Sequence, residues 1–311
     1  MRVLMLFLDG VGIGTADPKT NPFFAATLPS LRSLFSGEIP TVENPILQSQ
    51  RATLLPLDAN MGVDGLPQSG TGQTALFTGL NASKIIGKHF GPYPYSSLRP
   101  LIREKNIFRQ LKDSGKSVYF ANAYPQKFFD YFKDRQTRLT VTTLSCGSCD
   151  MPLHQAPDLA EGNALSADIT NAGWPKMGYP DILPIEPAEA GRRLVRLSSD
   201  HDFVLFEYWN TDKAGHSEDM AAAVKSIELF DAMLGGILDS IDTTEALVFI
   251  TSDHGNMEDM STKVHTRNPV PAILVGHRHA EVAHALLQQP DLTNVTPTLV
   301  KFIAERIPVP V

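Results

Sequence analysis

Short, continuous apolar runs are the sequence feature that most restricts the fold of this chain. Four of them are good candidates for strands, and a fifth is weaker; they cover residues 3–8, 203–209, 247–250, 271–275 and, for the weaker one, 117–121. Strands that are buried on both faces of a parallel sheet read as continuous apolar runs, whereas half-exposed strands alternate. We therefore expect these segments to pair in an open, mostly parallel sheet.

Helical patterns separate the apolar runs. Residues 220–240 carry apolar side chains at helical spacing, residues 188–198 and 295–304 have a helical character, and residues 73–78 follow a Gly-rich turn as the start of a further helix. Alternating strands and helices predict an α/β fold with helices on both faces of the sheet. Ligands of such sheets bind beyond the carboxyl ends of the strands.

Residues 124–187 interrupt this rhythm, because they are rich in Pro, Gly and Asn and begin with several Lys and Arg residues. We predict that they form a small cap or lid inserted into a catalytic core made of residues 1–123 and 188–311. A chain of 311 residues is long enough for one large α/β domain with such an insertion.

Composition excludes several classes of protein. A formal net charge of −7 argues against a nucleic-acid binder held by phosphate contacts, although it leaves an anionic substrate possible if metal ions dominate the local field. The apolar run at residues 3–8 is too short for a signal peptide, and no run could span a membrane, so we expect a cytoplasmic protein. Two cysteines are too few for a disulfide-built fold.

Metal-ligand side chains follow three of the apolar runs. One run is followed by Asp9, one by a D-x3-H pair and one by an adjacent Asp–His pair, with a further histidine eleven residues later; these residues are Asp212 with His216, Asp253 with His254, and His265. If residues after 212 are helical, the D-x3-H side chains lie one turn apart and can reach one ion. Carboxylates and neutral imidazoles are ligands for zinc and manganese. A single Asp–His pair is more often a cap or a hydrogen-bonded core pair, but three strand ends that meet at one sheet edge predict a site for two divalent metals.

A Gly-rich turn at residues 68–74 offers two candidate nucleophiles, Ser69 and Thr71. The amides of a helix N-terminus favour an anion such as phosphate, and a bound metal can lower the pKa of a hydroxyl enough for attack. The alternative is a plain capping turn, since Ser and Thr are favoured N-caps. Both interpretations stay open on the pattern alone.

Three weaker signals lie outside these motifs. Cys146, Cys149 and His154 could form a structural zinc site, but four ligands are usual, and reduced thiols in a lid loop are the simpler interpretation. Residues 87–93 have the Gly and aromatic make-up of a substrate loop, or of an ordinary surface connection. Lys213 and Arg267 adjoin candidate ligands and would contact either substrate oxygens or solvent.

Taken together, these motifs resemble the alkaline phosphatase superfamily, and especially its branch with cofactor-independent phosphoglycerate mutase and phosphopentomutase. The similar elements are TSDHGN at 251–256, HTRNPVP at 265–271, DKAGH at 212–216, LDGVG at 8–12 and NVTPTL at 294–299. They cover the chain from residue 1 to about residue 80 and from about residue 188 to the end.

The resemblance implies a role for each matching residue. One ion would bind Asp212, His216 and His265, and the other would bind Asp9, Asp253, His254 and the nucleophile hydroxyl. In the mutases a glycine follows the nucleophile by three residues and another by ten; Gly72 and Gly79 satisfy this from Ser69, whereas Thr71 has no such glycines. Ser69 is thus the preferred nucleophile and would form a phosphoserine.

Departures from the family affect the predicted reaction. The mutases carry a large inserted domain and an N-S-E-x-G-H motif, whereas this chain has a small insertion and Q-S-G-T-G-Q. A mutase must protect its phosphoenzyme from water, so we expect a phosphatase or phosphodiesterase that acts on a small phosphorylated substrate. A phosphomutase is the first alternative, and a catalytically silent metal-binding protein is the second. Sulfatase activity is not expected, because Gln73 occupies the position of the arginine that sulfatases need.

Overall fold

The computed structural model describes residues 1–305. Its strands are β1 (Arg2–Leu8), β2 (Leu47–Gln48), β3 (Ala52–Leu57), β4 (Val118–Phe120), β5 (Asn122–Ala123), β6 (Leu165–Ser166), β7 (Phe203–Tyr208), β8 (Ala246–Thr251) and β9 (Val270–Gly276). Its helices are α1 (Pro22–Ala25), α2 (Pro29–Leu34), α3 (Ser69–Thr78), α4 (Ala82–Ile86), α5 (Leu98–Lys105), α6 (Ile107–Asp113), α7 (Gln126–Phe132), α8 (Val141–Ser148), α9 (Ala156–Ala160), α10 (Pro187–Ser199), α11 (Asn210–Ser217), α12 (Met220–Leu238), α13 (His279–Leu286) and α14 (Val295–Ala304). Single 3-10 turns cover Gln136–Arg138, Pro175–Met177 and Leu292–Asn294.

Seven strands form the central sheet in the order β2-β3-β9-β8-β1-β7-β4. The four strands β8, β1, β7 and β4 run parallel, and all five apolar runs of the sequence lie in the sheet, as predicted. The sheet is mixed, because β9 pairs antiparallel with β8 and β3 pairs antiparallel with β9. The sequence reasoning missed β3, whose internal Pro56 weakens its strand pattern.

Alternation along β1 explains the two layers of helices. Val3, Met5 and Phe7 belong to a hydrophobic cluster on one face of the sheet, whereas Leu4 and Leu6 belong to a cluster on the other face. Successive side chains of a strand point to opposite faces, so a continuous apolar run serves both cores. Helices α10 and α12 pack against each other and cover one face, while α3, α6 and α14 cover the other.

Three of the predicted helices occur where expected, as α10, α12 and α14. The fourth begins earlier than predicted: α3 starts at Ser69, with Gln68 as its N-cap, so the Gly-rich turn is the first turn of the helix itself. Gly70 and Gly72 are required there by close packing, since an added Cβ would lie 2.3 Å from the Tyr93 carbonyl oxygen or 2.5 Å from the Asp253 carbonyl oxygen.

The predicted cap, residues 124–187, contains α7 to α9 and β6. Part of it surrounds a small separate hydrophobic cluster centred on Trp174, but α8 contributes Val141, Leu144 and Cys146 to the main core. The division into core and cap stays a prediction. Helix α8 lies within the predicted cap segment but packs against the main core.

No helix within residues 1–305 is both long and apolar enough to cross a lipid bilayer.

Candidate metal centre

Three parallel strands deliver the candidate ligands to one edge of the sheet. In the register of these strands Leu8 lies beside Tyr208, and Phe7 lies beside Thr251. Asp9 therefore leaves β1 at the level where β7 leads into α11 and β8 leads into the loop that holds Asp253 and His254. The parallel register explains why residues more than 200 positions apart in sequence meet here.

One group of candidate ligands consists of Asp212, His216 and His265. Each offers one ligand atom, and these atoms lie within 4.8 Å of one another. Asp212 and His216 are one turn apart on α11, as predicted, with Asp212 Oδ2 3.3 Å from His216 Nε2. His265 Nε2 lies 3.7 Å from Asp212 Oδ1.

The second group surrounds His254, whose side chain is fully buried. Its Nε2 lies 3.3 Å from Asp9 Oδ1, 3.6 Å from Asp253 Oδ2 and 3.0 Å from Ser69 Oγ. Asp9, Asp212 and His254 also offer ligand atoms within 4.8 Å of one another, so Asp212 lies between the two groups. The structure thus brings together all seven residues that the sequence singled out.

Backbone carbonyls fix the orientation of the three imidazoles. Nδ1 contacts the Pro67 carbonyl oxygen in His265 (2.7 Å), the Lys263 carbonyl oxygen in His216 (2.8 Å) and the Gly255 carbonyl oxygen in His254 (3.3 Å). A carbonyl can only accept, so each Nδ1 carries a proton, and each ring, when it is neutral, presents the lone pair of Nε2 to the centre. This arrangement is usual for metal-bound histidines.

Atoms at the centre lack partners that a cation would supply. Asp9 Oδ1 and Asp253 Oδ2 are buried and have no hydrogen-bond partner. The Nε2 atoms of His216 and His265 lie 3.2 Å apart with lone pairs facing each other, which is unfavourable unless a cation or a proton lies between them. Buried acceptors without donors are costly, and these residues fit divalent metal ions on that ground.

The pKa shifts of the residues at the centre also indicate a site for a cation. Burial, together with the charge of Asp9, raises the pKa of Asp253 well above its ordinary value. Burial acts to lower the pKa of His254, but the carboxylates of Asp253 and Asp9 outweigh it and raise that pKa to about 10. Burial and the charge of His254 lower the pKa of His265 to about 4. A bound cation would replace the proton that His254 otherwise holds between two carboxylates.

The two candidate nucleophiles occupy different environments. Ser69 is the first residue of α3 and lines the cavity, of about 390 Å³, that contains Asp212, His216 and His265. The hydroxyl of Thr71 donates to the Gln68 carbonyl oxygen at 3.1 Å and accepts from the Phe90 amide at 3.2 Å. Thr71 therefore holds the loop that follows α4 against α3, and of the two candidates only Ser69 has its hydroxyl beside a candidate ligand.

Sequence reasoning missed the buried carboxylate of Glu258. Its Oε2 accepts from the amides of Gly12 and Asn256, each at 2.8 Å, and its Oε1 accepts from the side chains of Thr266 and Asn268. Glu258 thus joins the three loops that carry Asp9, His254 and His265. The motif gave a faint signal, because Glu258 lies four residues after the candidate ligand His254.

Two more polar residues act on the ligands or the cavity and were also missed. Asn256 donates to Asp212 Oδ1 at 2.7 Å, and its position directly after the TSDHG segment was the available signal. Lys263 lines the metal cavity. Lys213 and Arg267, the cations that the sequence suggested, are exposed; Arg267 lines a different surface cavity beside Asp58.

The weaker signals of the sequence have different outcomes. Cys146 and Cys149 are free, buried thiols on α8 and at its C-cap, so the expectation of thiols in a lid loop is wrong in its location. Cys146, Cys149 and His154 form no ligand cluster among residues 1–305. In the loop at 87–93, Gly91 and Pro92 line the metal cavity.

Comparison with known proteins supports this picture of the centre. Residues 188–305, which carry five of the seven candidate residues, match the profile of the family described as "Metalloenzyme superfamily". This segment is thus similar to that family. The chain is also 33% identical over 145 residues to a 2,3-bisphosphoglycerate-independent phosphoglycerate mutase from Pseudomonas putida, which covers 43% of the chain and 28% of the mutase. A mutase of that description from Thiobacillus denitrificans is 36% identical over 113 residues, 34% of the chain and 21% of the mutase. The matched region thus spans less than a third of either relative.

Solved structures share the fold over nearly the whole chain. An alkaline phosphatase from the Antarctic bacterium TAB5 superposes with a TM-score of 0.53 at 13% identity and covers 98% of each chain. A Leishmania mexicana phosphoglycerate mutase superposes with a TM-score of 0.51 at 12% identity, covering 99% of this chain and 96% of the mutase. At such identities the likeness shows the fold alone, and it confirms the predicted alkaline-phosphatase-like α/β architecture.

Proposed function

We propose that this protein is a two-metal-dependent phosphoryl-transfer enzyme that hydrolyses small phosphate esters through a phosphorylated Ser69. The observation that carries the proposal is that two overlapping groups of candidate metal ligands adjoin one hydroxyl at the start of α3, since Ser69 Oγ lies 3.0 Å from His254 Nε2. The likeness to named phosphatases and mutases supports it.

Two groups of residues would hold the metals. Asp212, His216 and His265 would bind one ion, and Asp9, Asp253, His254 and Ser69 would bind the other. Two divalent cations, zinc or manganese by the donor set, would supply charge neutralisation at phosphorus and lower the pKa of the Ser69 hydroxyl. Three aspartates and one alkoxide bring about four negative charges, so the loaded centre would be close to neutral before substrate binds.

The chain's own residues then position the transfer. Ser69 loses its proton to solvent, and its Oγ forms a bond to phosphorus while the ester bond breaks; the electron pair stays on the leaving oxygen, which takes a proton from solvent. Water next attacks the phosphoserine, releases phosphate and restores Ser69. The free amides at the N-terminus of α3 favour the negative charge that collects at this point.

Exposure of the centre favours water as the acceptor. The side chain of His216 is 45% exposed, and the cavity beside it is open to solvent. An enzyme that returns the phosphoryl group to its substrate must exclude water from the phosphoserine. The second candidate is a phosphomutase, and it is favoured by the 33% sequence identity to a phosphoglycerate mutase over 145 residues.

One set of assays separates these functions. The metal-loaded protein is incubated with p-nitrophenyl phosphate, bis-p-nitrophenyl phosphate and 3-phosphoglycerate. We expect release of p-nitrophenol, which a Ser69→Ala variant abolishes, and a phosphorylated peptide containing Ser69 in mass spectra of acid-quenched enzyme. Isomerisation of 3-phosphoglycerate without phosphate release would establish the mutase instead. Metal binding without turnover of any substrate would establish a silent binding protein.

Thr71→Val is the matched control for the nucleophile. Valine has the shape of threonine without its hydroxyl, so this variant loses the hydrogen bonds to Gln68 and Phe90 and about 1–2 kcal/mol of stability. We expect its turnover to stay within a few-fold of the parent at a temperature where both are folded. Loss of the phosphopeptide in Thr71→Val but not in Ser69→Ala would overturn the choice of Ser69.

A further inference from the structure

A second cavity, of about 600 Å³, lies next to the metal centre. Its walls are dominated by aromatic and other apolar side chains, with few charged groups; the apolar members include Tyr93, Tyr124, Phe128, Phe132, Trp174 and Trp209. Binding sites for small molecules are typically apolar cavities of this size with a few polar groups. Lys127 and Asp168 are its only charged lining residues among residues 1–305.

The aromatic walls form a packed cluster with an open mouth. Tyr124 packs against Phe128 with ring centroids 4.2 Å apart, and Phe128 packs against Phe132 at 4.6 Å. Tyr131 and Met177, which line the same cavity, are 39% and 50% exposed. Large apolar side chains that stay exposed around a concave surface mark a place where an apolar ligand can be bound.

Two backbone connections link this aromatic cavity to the metal centre. Pro92 lines the metal cavity and Tyr93 lines the aromatic one; Asn210, at the start of α11, lines the aromatic one, whereas Asp212 on the same turn lines the metal cavity. A group attached to a phosphate at Ser69 would therefore reach the aromatic cavity past the loop at residues 91–93. That loop is held in place against α3, because the Thr71 amide donates to the Phe90 carbonyl oxygen at 2.9 Å.

We propose that the aromatic cavity binds the alcohol portion of the substrate, and that this portion is a flat, largely uncharged aromatic group. This inference rests on the proposed phosphoryl-transfer function. Aromatic rings gain from stacking and from burial of apolar area, and the walls offer both. A small sugar acid would place a carboxylate and hydroxyls against these walls, where few polar partners exist.

Two esters with similar leaving groups test the preference. Ethyl phosphate and 2-(1-naphthyl)ethyl phosphate both release a primary alcohol, so the chemistry at phosphorus is matched and the attached ring is the main difference. We expect kcat/KM to be at least tenfold higher for the naphthyl ester. In a Tyr131→Ala/Met177→Ala variant this ratio should fall several-fold, because kcat/KM for the naphthyl ester falls much more than kcat/KM for ethyl phosphate.

Leu183→Ala is the matched control for this variant. Leu183 is 70% exposed, belongs to the same segment of the chain and does not line the cavity, so its removal should leave the ratio unchanged. Equal kcat/KM for the two esters, or an unchanged ratio in Tyr131→Ala/Met177→Ala, would overturn the inference while leaving the proposed function intact.

Intrinsic fluorescence gives a readout that needs no turnover. The chain has two tryptophans, and both Trp174 and Trp209 line the aromatic cavity. Titration with 2-(1-naphthyl)ethanol should quench their emission saturably in the parent and in Leu183→Ala, and more weakly in Tyr131→Ala/Met177→Ala. Quenching without hydrolysis of either ester would mean that the cavity binds aromatics and the proposed function fails; absence of saturable quenching would overturn the inference itself.

Discussion

Replacing Glu258 by glutamine tests whether the metal centre depends on a buried carboxylate that contacts no metal. Glu258 is 1% exposed and accepts four hydrogen bonds, two at each oxygen. Two of the donors are backbone amides, of Gly12 and Asn256, which cannot rotate or become acceptors. Glutamine fits the same volume, but it has one accepting oxygen and one NH₂ group, so it cannot accept from all four donors.

The magnitude follows from those four bonds. A hydrogen bond to a charged group contributes about 1.5–3 kcal/mol, and a neutral one about 0.5–1.5 kcal/mol. If the glutamine oxygen faces the two amides, each of those bonds weakens by about 1 kcal/mol. The NH₂ group then faces the side chains of Thr266 and Asn268, which must reorient at a cost of about 1 kcal/mol. We expect Glu258→Gln to lower the free energy of unfolding by about 3 kcal/mol.

Urea denaturation of metal-free protein measures this loss, and Asp259→Asn is the control. Asp259 also accepts two hydrogen bonds, from the amide and hydroxyl of Ser261, but in an exposed turn that asparagine can form equally well. We expect a change below about 0.5 kcal/mol for this control. Zinc affinity should also fall about 10- to 100-fold in Glu258→Gln, since three ligand loops lose their common anchor. If Glu258→Gln unfolds within about 0.5 kcal/mol of the parent, the carboxylate is not the anchor that its contacts indicate.

Three further outcomes are expected. Zinc or manganese at about 100 times its Kd should stabilise the fold by about 2.7 kcal/mol in thermal melts, and chelation should reverse this; an unchanged melting temperature would contradict a metal site. Burial raises the pKa of Glu207 to about 8, so its contribution to stability is present below pH 4.5 and is lost as the pH rises through about 8. In chelator, Glu207→Gln should therefore gain up to about 5 kcal/mol over the parent at pH 9 and nothing at pH 4.5, and equal gains at both would refute this. Asn256→Ala removes the donor to Asp212 and should weaken zinc binding about tenfold by calorimetry, whereas Asn44→Ala, which removes an exposed side-chain hydrogen bond to Glu38, should not.

Much of the sheet and of the ligand set could be predicted from the sequence for one physical reason. A strand that is buried on both faces is mostly apolar, so β1, β7 and β8 can be recognised in the sequence as apolar runs. The first polar residue after each run then marks the edge of the sheet. Asp9 follows directly from that rule, and Asp212 and Asp253 lie within four residues of the ends of β7 and β8. The runs do not fix the position of His265, which lies in a loop; its place eleven residues after His254 made it a candidate, and the resemblance gave it a role.

The residues that the sequence did not reveal depend on tertiary contacts. Pro56 weakens the strand pattern of β3 in the sequence, although this strand pairs along its whole length with β9. The start of α3 at Ser69 is set by packing of two glycines against Tyr93 and Asp253, which overrides the low helix propensity of Gly. In the sequence Glu258 cannot be told from a surface glutamate, because the four donors that bind it come from three separate loops.

The arrangement of the centre connects stability with the choice of acceptor. Asp253 is fully buried beside His254, and Asp9 and Asp212 are largely buried, whereas His216 is 45% exposed at the open side of the cavity. Removal of the cation should destabilise the buried group most, because its carboxylates cannot form hydrogen bonds to water instead. The exposed group keeps contact with solvent, and the aromatic cavity begins at the same helix, α11. If an aromatic alcohol leaves into that cavity, the side of phosphorus opposite Ser69 becomes accessible to water through the opening beside His216. An alcohol that stays bound would block that path and favour return of the phosphoryl group. On the proposed function, the residence time of the alcohol in the aromatic cavity would decide between hydrolysis and transfer, and we expect Tyr131 and Met177, which line that cavity, to influence it.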